Sequence, residues 1–213
     1  MKTLNQISKK LFAAVSLPLI SISCVPVFSD LQSARTLGKG QVEATPYYTI
    51  TGLNNEDKGA SHFGGNIGVG LSDKIDIRAK YESNWLNEEE NTAVTILGIG
   101  PKFSLIPDRL AFFLPAGAML QEGELDFWQI HPTVFFTQPI VKDRLEFTVA
   151  PKYLLNICED CSGNFATNFG LSASKDFKKY AWRAEYGRII SNGSVGQFSL
   201  GFSFFLIPKN QIP

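Results

Sequence analysis

The chain has 213 residues, 20 Lys and Arg against 20 Asp and Glu, and only 19% charged residues, so it lacks the basic excess a nucleic-acid-binding domain carries. Its 44% hydrophobic content is too high for a disordered chain and suits one domain. Phe (17) and Gly (18) far outnumber Met and His (two each), a bias toward β structure over helix.

Residues 1–23 read as a secretory signal. Lys2, Lys9 and Lys10 form a positive start, and Leu11 to Ser23 is uncharged and ends in small residues. That stretch is too short to span a bilayer, which takes roughly 20 apolar residues. Cys24 follows directly, in the string Ser21-Ile22-Ser23-Cys24. A cysteine there resembles a bacterial lipoprotein processing site, although Ser21 stands where Leu is usual, and implies lipidation at Cys24. The other reading is an ordinary signal cut a few residues later. Beyond the signal the chain carries 17 basic and 20 acidic residues, a net charge of −3, because three lysines and no acids precede Cys24. Residues 24–40 read as a periplasmic tether.

From residue 41 the apolar period is two. Ile75, Ile77, Ala79, Tyr81 and Trp85 alternate with Asp76, Arg78, Lys80, Glu82 and Asn84, a split that a strand tolerates and a helix does not. The same alternation predicts about ten strands, near 41–50, 62–71, 75–85, 93–105, 110–120, 127–137, 145–155, 165–174, 180–190 and 197–206. Most are about ten residues long, the length of a tilted membrane-spanning strand (~9–11 residues). Short connections follow the even strands, with Asp73, Asp108 and Asp143 spaced 35 residues apart. Asp bonds its own backbone at such turns. Longer loops follow the odd strands and carry Glu56, Asp57, Glu88, Glu89, Glu90, Glu122, Glu124, Asp126, Glu159 and Asp160 against Lys58 alone. Pro101, Pro115, Pro132 and Pro151 fall inside strands and predict bulges or kinks. Cys158 and Cys161, in a polar loop of an exported chain, predict a small structural disulfide.

The aromatics of the apolar parity cluster toward strand ends. Tyr48, Phe63, Trp85, Trp128, Tyr153 and Tyr186 lie toward the long loops, and Phe103, Phe112, Phe136, Phe147, Trp182 and Phe204 toward the short turns. Two aromatic girdles around an aliphatic band are the pattern of a membrane barrel. The opposite parity holds Glu43, Asp76, Glu82, Glu146 and Glu185 with Arg78, Lys80, Lys102, Lys152 and Arg183, which could pair inside a narrow lumen. Glycines such as Gly68, Gly70 and Gly201 share that face and make room for long side chains.

This arrangement over residues 40–206 resembles small outer-membrane β-barrel proteins of Gram-negative bacteria, particularly those made as lipoproteins. The last strand adds Ser199, Gly201, Phe204 and Leu206, similar to the signal read by the barrel-assembly machinery. Residues 207–213 form a C-terminal tail beyond it. The resemblance implies an all-β fold, a single antiparallel transmembrane barrel of about ten strands over 41–206, with short periplasmic turns and longer acidic outer loops. It implies a non-enzymatic structural or surface-interaction role, at most a narrow pore, with lipid and lipopolysaccharide as surroundings. No cofactor, metal or nucleic acid is expected. Two alternatives stay open. One is an outer-membrane enzyme with a rim site at His62 or His131 beside Asp126 or Glu124. The other is a lipid-anchored, lipocalin-like carrier, which needs an apolar inner face such as Ala111, Phe113 and Met119 begin to offer.

Overall fold

A computed structural model describes residues 29–52, 60–85, 94–121, 123–157, 162–190 and 195–206. The predicted signal, Cys24, Cys158, Cys161, the tail 207–213 and most of the acidic loop residues lie outside these. Twelve strand segments follow in order: β1 (Val42–Thr51), β2 (Ser61–Ser72), β3 (Ile75–Trp85), β4 (Val94–Ile106), β5 (Leu110–Phe113), β6 (Ala116–Gln121), β7 (Glu124–Ile130), β8 (Thr133–Val141), β9 (Leu145–Ile157), β10 (Asn164–Ala173), β11 (Tyr180–Ile190) and β12 (Gly196–Phe205). All pairings are antiparallel, and the sheet closes on itself because β1 pairs with both β2 and β12 while β9 pairs with β10. Closure removes the unpaired edges that an open sheet would expose.

The twelve segments make ten staves. β5 and β6 are two halves of one stave interrupted at Leu114 and Pro115, and β7 and β8 are halves of another interrupted at His131 and Pro132. β4 pairs with β5 from Lys102 to Ile106 and with β6 from Val94 to Ile99. A proline has no N–H for the ladder. The neighbouring N–H groups bridge the gap: Leu114 donates to Pro101 O (3.0 Å), His131 to Pro115 O (3.0 Å) and Tyr153 to Pro132 O (3.1 Å). The four predicted proline kinks thus form a row across adjacent staves. Pro101 and Pro151 remain inside β4 and β9, and only Pro115 and Pro132 split their staves.

The short turns lie at one end of the barrel and the long loops at the other. Arg109 N donates to Ile106 O at 3.0 Å, and Arg144 N donates to Val141 O at 3.1 Å, closing two four-residue turns. Asp108 (φ 59°) and Asp143 (φ 55°) occupy left-handed positions in them. Asp is among the few non-glycine residues that adopt that conformation at low cost.

The strands turn their apolar faces outward. Among the described residues 29 large apolar or aromatic side chains are exposed, whereas ten Asp, Glu, Lys and Arg are buried. A water-soluble fold has the opposite distribution, because such charges are almost never fully buried unless paired. The outward aliphatic band holds Ile67, Leu97, Ile99, Leu114, Leu171 and Leu200. Trp182 packs on Phe202 with centroids 4.7 Å apart at the short-turn end. Toward the long loops Tyr48, Phe63, Trp128, Tyr153 and Tyr186 stand exposed. Phe136 is exposed at the short-turn end, Phe103, Phe112, Phe147 and Phe204 are partly so, and Trp85 is the last residue of β3.

One segment departs from expectation. Over its described part, the predicted tether is packed inside the barrel. Ser29, Leu31, Ser33, Ala34 and Leu37 are buried. Residues 29–41 form a strap along the lumen that turns at Gly38 (φ 93°) and Gly40 (φ 76°) into β1. The wall makes space for it. A Cβ on Gly70 would fall 1.9 Å from the Gly38 carbonyl oxygen, and one on Gly201 3.0 Å from Leu31 Cδ1. Some of the inward glycines therefore accommodate the strap's backbone and apolar side chains, and Gly68 alone lies against both Leu37 and Arg78.

Candidate functional site

The lumen is the chemically distinctive region. Period-two alternation sends every second residue of β1, β3, β4, β9 and β11 inward, which brings ten wall charges into one narrow space. Glu43 sits between two guanidiniums: Arg78 Nη1 at 2.8 Å and Arg183 Nη2 at 3.1 Å. Arg78 also reaches Asp76 at 3.1 Å. Arg183 completes its shell with Ser203 Oγ at 2.7 Å and Ser172 Oγ at 3.0 Å. This cluster lies in the half of the lumen near the short turns.

A second cluster lies toward the long loops. Glu82 accepts from Tyr47 Oη at 2.6 Å, pairs with Lys80 at 3.0 Å and faces His62 Nδ1 at 3.2 Å. His62 Nε2 is 3.0 Å from Thr51 Oγ1. His62 and Glu82 are both fully enclosed. His131, half-buried, meets Gln129 Oε1 at 3.0 Å. His62 is thus brought to Glu82 and Thr51. Glu124 is exposed on β7, and the Asp126 side chain lies outside the described residues.

The remaining wall charges are met by the strap. Asp30 pairs with Lys152, and Arg35 Nε pairs with Glu146 at 2.8 Å. Lys102 donates to Ser33 O (2.5 Å) and Arg35 O (2.8 Å). Glu185 accepts from Ser29 Oγ (3.0 Å), Asp30 N (2.9 Å), Leu31 N (3.0 Å) and Asn168 Nδ2 (2.9 Å). Wall-to-wall pairing alone, which the sequence suggested, does not describe Lys102 and Glu185: main-chain groups of the strap solvate them. A buried charge without partners would cost several kcal/mol, roughly the scale on which each of these contacts acts.

Apolar groups take a minor share of the interior. Ala34 of the strap packs with Ala111, Phe113, Phe135 and Ala150. Met119 is buried farther toward the long loops. Among the described residues two interior voids stand out. The void beside Ser29, Lys80, Gln129 and His131 is about 40 Å³, room for a water or two. A larger void of about 170 Å³ lies at the short-turn mouth between Arg35, Asp108, Phe177 and Lys178. Among the described residues no group of three or more His, Cys, Asp or Glu could hold a metal ion.

No protein-family model matches the chain, and no curated protein does. Solved structures of the same general shape exist. A barrel from the de novo design of transmembrane β-barrels is similar with a TM-score of 0.39 and 13% identity, over 79% of this chain and 97% of that one. The N-terminal β-barrel domain of Pseudomonas aeruginosa OprF gives 0.36 and 14%, over 79% and 99%. The translocator domain of the autotransporter NalP from Neisseria meningitidis gives 0.44 and 8%, over 78% and 89%. At these values the likeness is one of barrel shape, and no property of those proteins is carried over.

Proposed function

We propose that this chain is a non-enzymatic barrel spanning the outer membrane of a Gram-negative bacterium, with a sealed lumen and a structural or surface-interaction role. The observation that supports it is the inversion of the two faces. In water an apolar belt around the whole barrel would be a liability far larger than the few hundred Å² that monomeric proteins expose. In a bilayer the same belt is solvated by acyl chains, and the aromatic ends suit the two interfaces.

The enclosed state of His62 and Glu82 speaks against a rim site built on His62, because substrate could not reach it. The polar, filled interior speaks against a lipocalin-like carrier. The reading further includes lipidation at Cys24, a Cys158–Cys161 disulfide in a surface loop, acidic loops facing lipopolysaccharide and insertion by the barrel-assembly machinery. The first test is heat-modifiable gel migration of the membrane fraction. The expected result is a folded form that resists alkaline extraction and shifts on boiling. Recovery of the protein in the soluble fraction, without a shift, would refute the membrane reading.

A further inference from the structure

The strap is held chiefly by its peptide groups. Four of its N–H groups meet side chains of the wall. Those of Asp30 (2.9 Å) and Leu31 (3.0 Å) donate to Glu185, that of Ala34 to Thr137 Oγ1 (2.8 Å) and that of Leu37 to Asp76 (3.0 Å). Four of its carbonyls accept from the wall. Ser29 O accepts from Lys80 (2.8 Å), Asp30 O from Asn66 (2.8 Å), and Ser33 O (2.5 Å) and Arg35 O (2.8 Å) from Lys102. Peptide groups are the same in every sequence, so these contacts read polypeptide main chain as such. Three side chains of the strap are keyed to the wall by charge or size. Asp30 pairs with Lys152, and Arg35 with Glu146. Ala34 is fully buried among Ala111, Phe113, Phe135 and Ala150, a space for a small residue only. Affinity from main-chain bonds and specificity from a few side-chain pockets is the division found where peptides bind sheet edges. Here side chains of the wall take the part of the edge strand.

The wall closes without the strap. Its staves pair with one another, and among the described residues 29–37 make no main-chain to main-chain bond with any of them. The first such bonds tie Gly40 and Gln41 to Gly70 at the short-turn rim. Obligate interfaces resemble a domain core. The strap's interface is polar instead, and its buried apolar side chains are Leu31, Ala34 and Leu37. The void of about 170 Å³ at the short-turn mouth runs along Ser33, Arg35, Thr36 and Leu37, so water has access to these contacts from that end. We propose that the lumen is a binding site for polypeptide, of which the strap is an exchangeable occupant. The site accepts in trans a segment with an acid, a small residue four positions on and a base directly after it, and the strap gives way to that segment.

The test uses the full chain refolded in detergent micelles, and so free of lipid, with a specific protease site inserted between Lys39, which is exposed, and Gly40. After folding and cleavage, a fluorescent peptide of the sequence Ser29–Lys39 is added and its anisotropy followed. The expected result is saturable uptake of one peptide per barrel, with release of the N-terminal piece. Asp30→Lys or Arg35→Glu in the peptide should weaken binding about tenfold or more, as loss of a buried charge partner does. Ala34→Trp should abolish it. Thr36→Ala, whose hydroxyl bonds only at the exposed rim, should change it by less than about threefold. An N-terminal piece that stays bound until the barrel unfolds, with no uptake of peptide, overturns the inference. Uptake indifferent to Asp30, Ala34 and Arg35 overturns it as well. In case the inserted site disturbs folding, the uncut chain with Asp30→Lys and Arg35→Glu gives a second readout. Its strap sets like charges against Lys152 and Glu146, so it should take up the unaltered peptide more tightly than the unaltered chain does. Equal uptake, or none, by a variant that still shifts on boiling would overturn the inference. Peptide exchange needs the filled barrel and not its place in a membrane, so its failure leaves the membrane reading to its own test.

Discussion

Trp182 and Arg183 are neighbours in β11, yet the tryptophan is 63% exposed and the arginine 9%. The same contrast runs along β3, where Tyr81 faces out and Glu82 is enclosed. If the outward side faces lipid as proposed, it needs only surface chemistry that acyl chains tolerate, and its residues should be interchangeable within size and hydrophobicity. The inward side is a network in which each charge depends on named partners. One alternating sequence pattern therefore encodes two regions of very different sensitivity to substitution.

The comparison is broken most severely at Glu43. Glu43→Ala leaves Arg78 and Arg183 without their shared carboxylate in an enclosed lumen. Removing one member of a buried charge cluster costs about 3–5 kcal/mol, and urea unfolding of the lipid- or micelle-embedded protein should register a loss of that size. Arg183→Ala belongs to the same class, since it strips Glu43 of one partner and Ser172 and Ser203 of another.

Gly70→Ala comes next. Its methyl would meet the Gly38 carbonyl at 1.9 Å, so the strap must move away from the wall. Overpacking of this kind costs about 1–3 kcal/mol. The intact protein should show little conductance and no sign selectivity in planar bilayers, because wall and strap, exposed Lys39 aside, place six acids and six bases in the lumen. Gly70→Ala should raise that conductance. Large, stable openings of the unaltered protein would break the account of a sealed interior.

On the outward side Leu171→Ala should cost less than ~1 kcal/mol. Leu171 is 46% exposed in the aliphatic band, and on the proposed membrane reading lipid replaces most of the contacts that a soluble core would lose. A loss as large as that of Glu43→Ala would mean that this face packs against protein. The smallest effect belongs to the turn before β11. The backbone N–H of Lys178 donates to Asp176 at 3.0 Å and holds that carboxyl below its usual value. A depressed carboxyl stabilises the fold above its unfolded pKa, and the contribution fades as pH falls through the folded value. Asp176→Asn should therefore lower neutral stability slightly, leave stability below the folded value unchanged and so flatten the acid limb of the profile.

The strands were legible because their period is two: β3 and β11 begin and end where the alternation does, and other strands differ from it by one to four residues at an end. The inward placement of Glu43, Arg78 and Arg183 follows from the same parity. The strap was not legible. Residues 29–41 have no alternation, and their polar composition reads equally as a solvated linker. What recruits them is the shape and charge of a lumen that exists only once ten staves close. A weak signal was present in the inward glycines: Gly70 faces no long wall side chain and lies against the strap's backbone. The partner of His62 was not legible: Glu82 is 20 residues away in sequence and lies two positions from Asn84, the residue His62 opposes in the register.

The central claim is that the exposed apolar belt faces lipid. Trp128 and Trp182 stand on it toward opposite ends, and Trp85, the remaining tryptophan, closes β3 on the same parity. Tryptophan fluorescence of the protein in vesicles whose acyl chains are brominated at defined depths reads that contact directly. The account predicts strong quenching by bromines near the headgroups, weaker quenching by bromines at the bilayer centre and little by aqueous iodide. Efficient quenching by iodide, with none by brominated lipid at any depth, would contradict it.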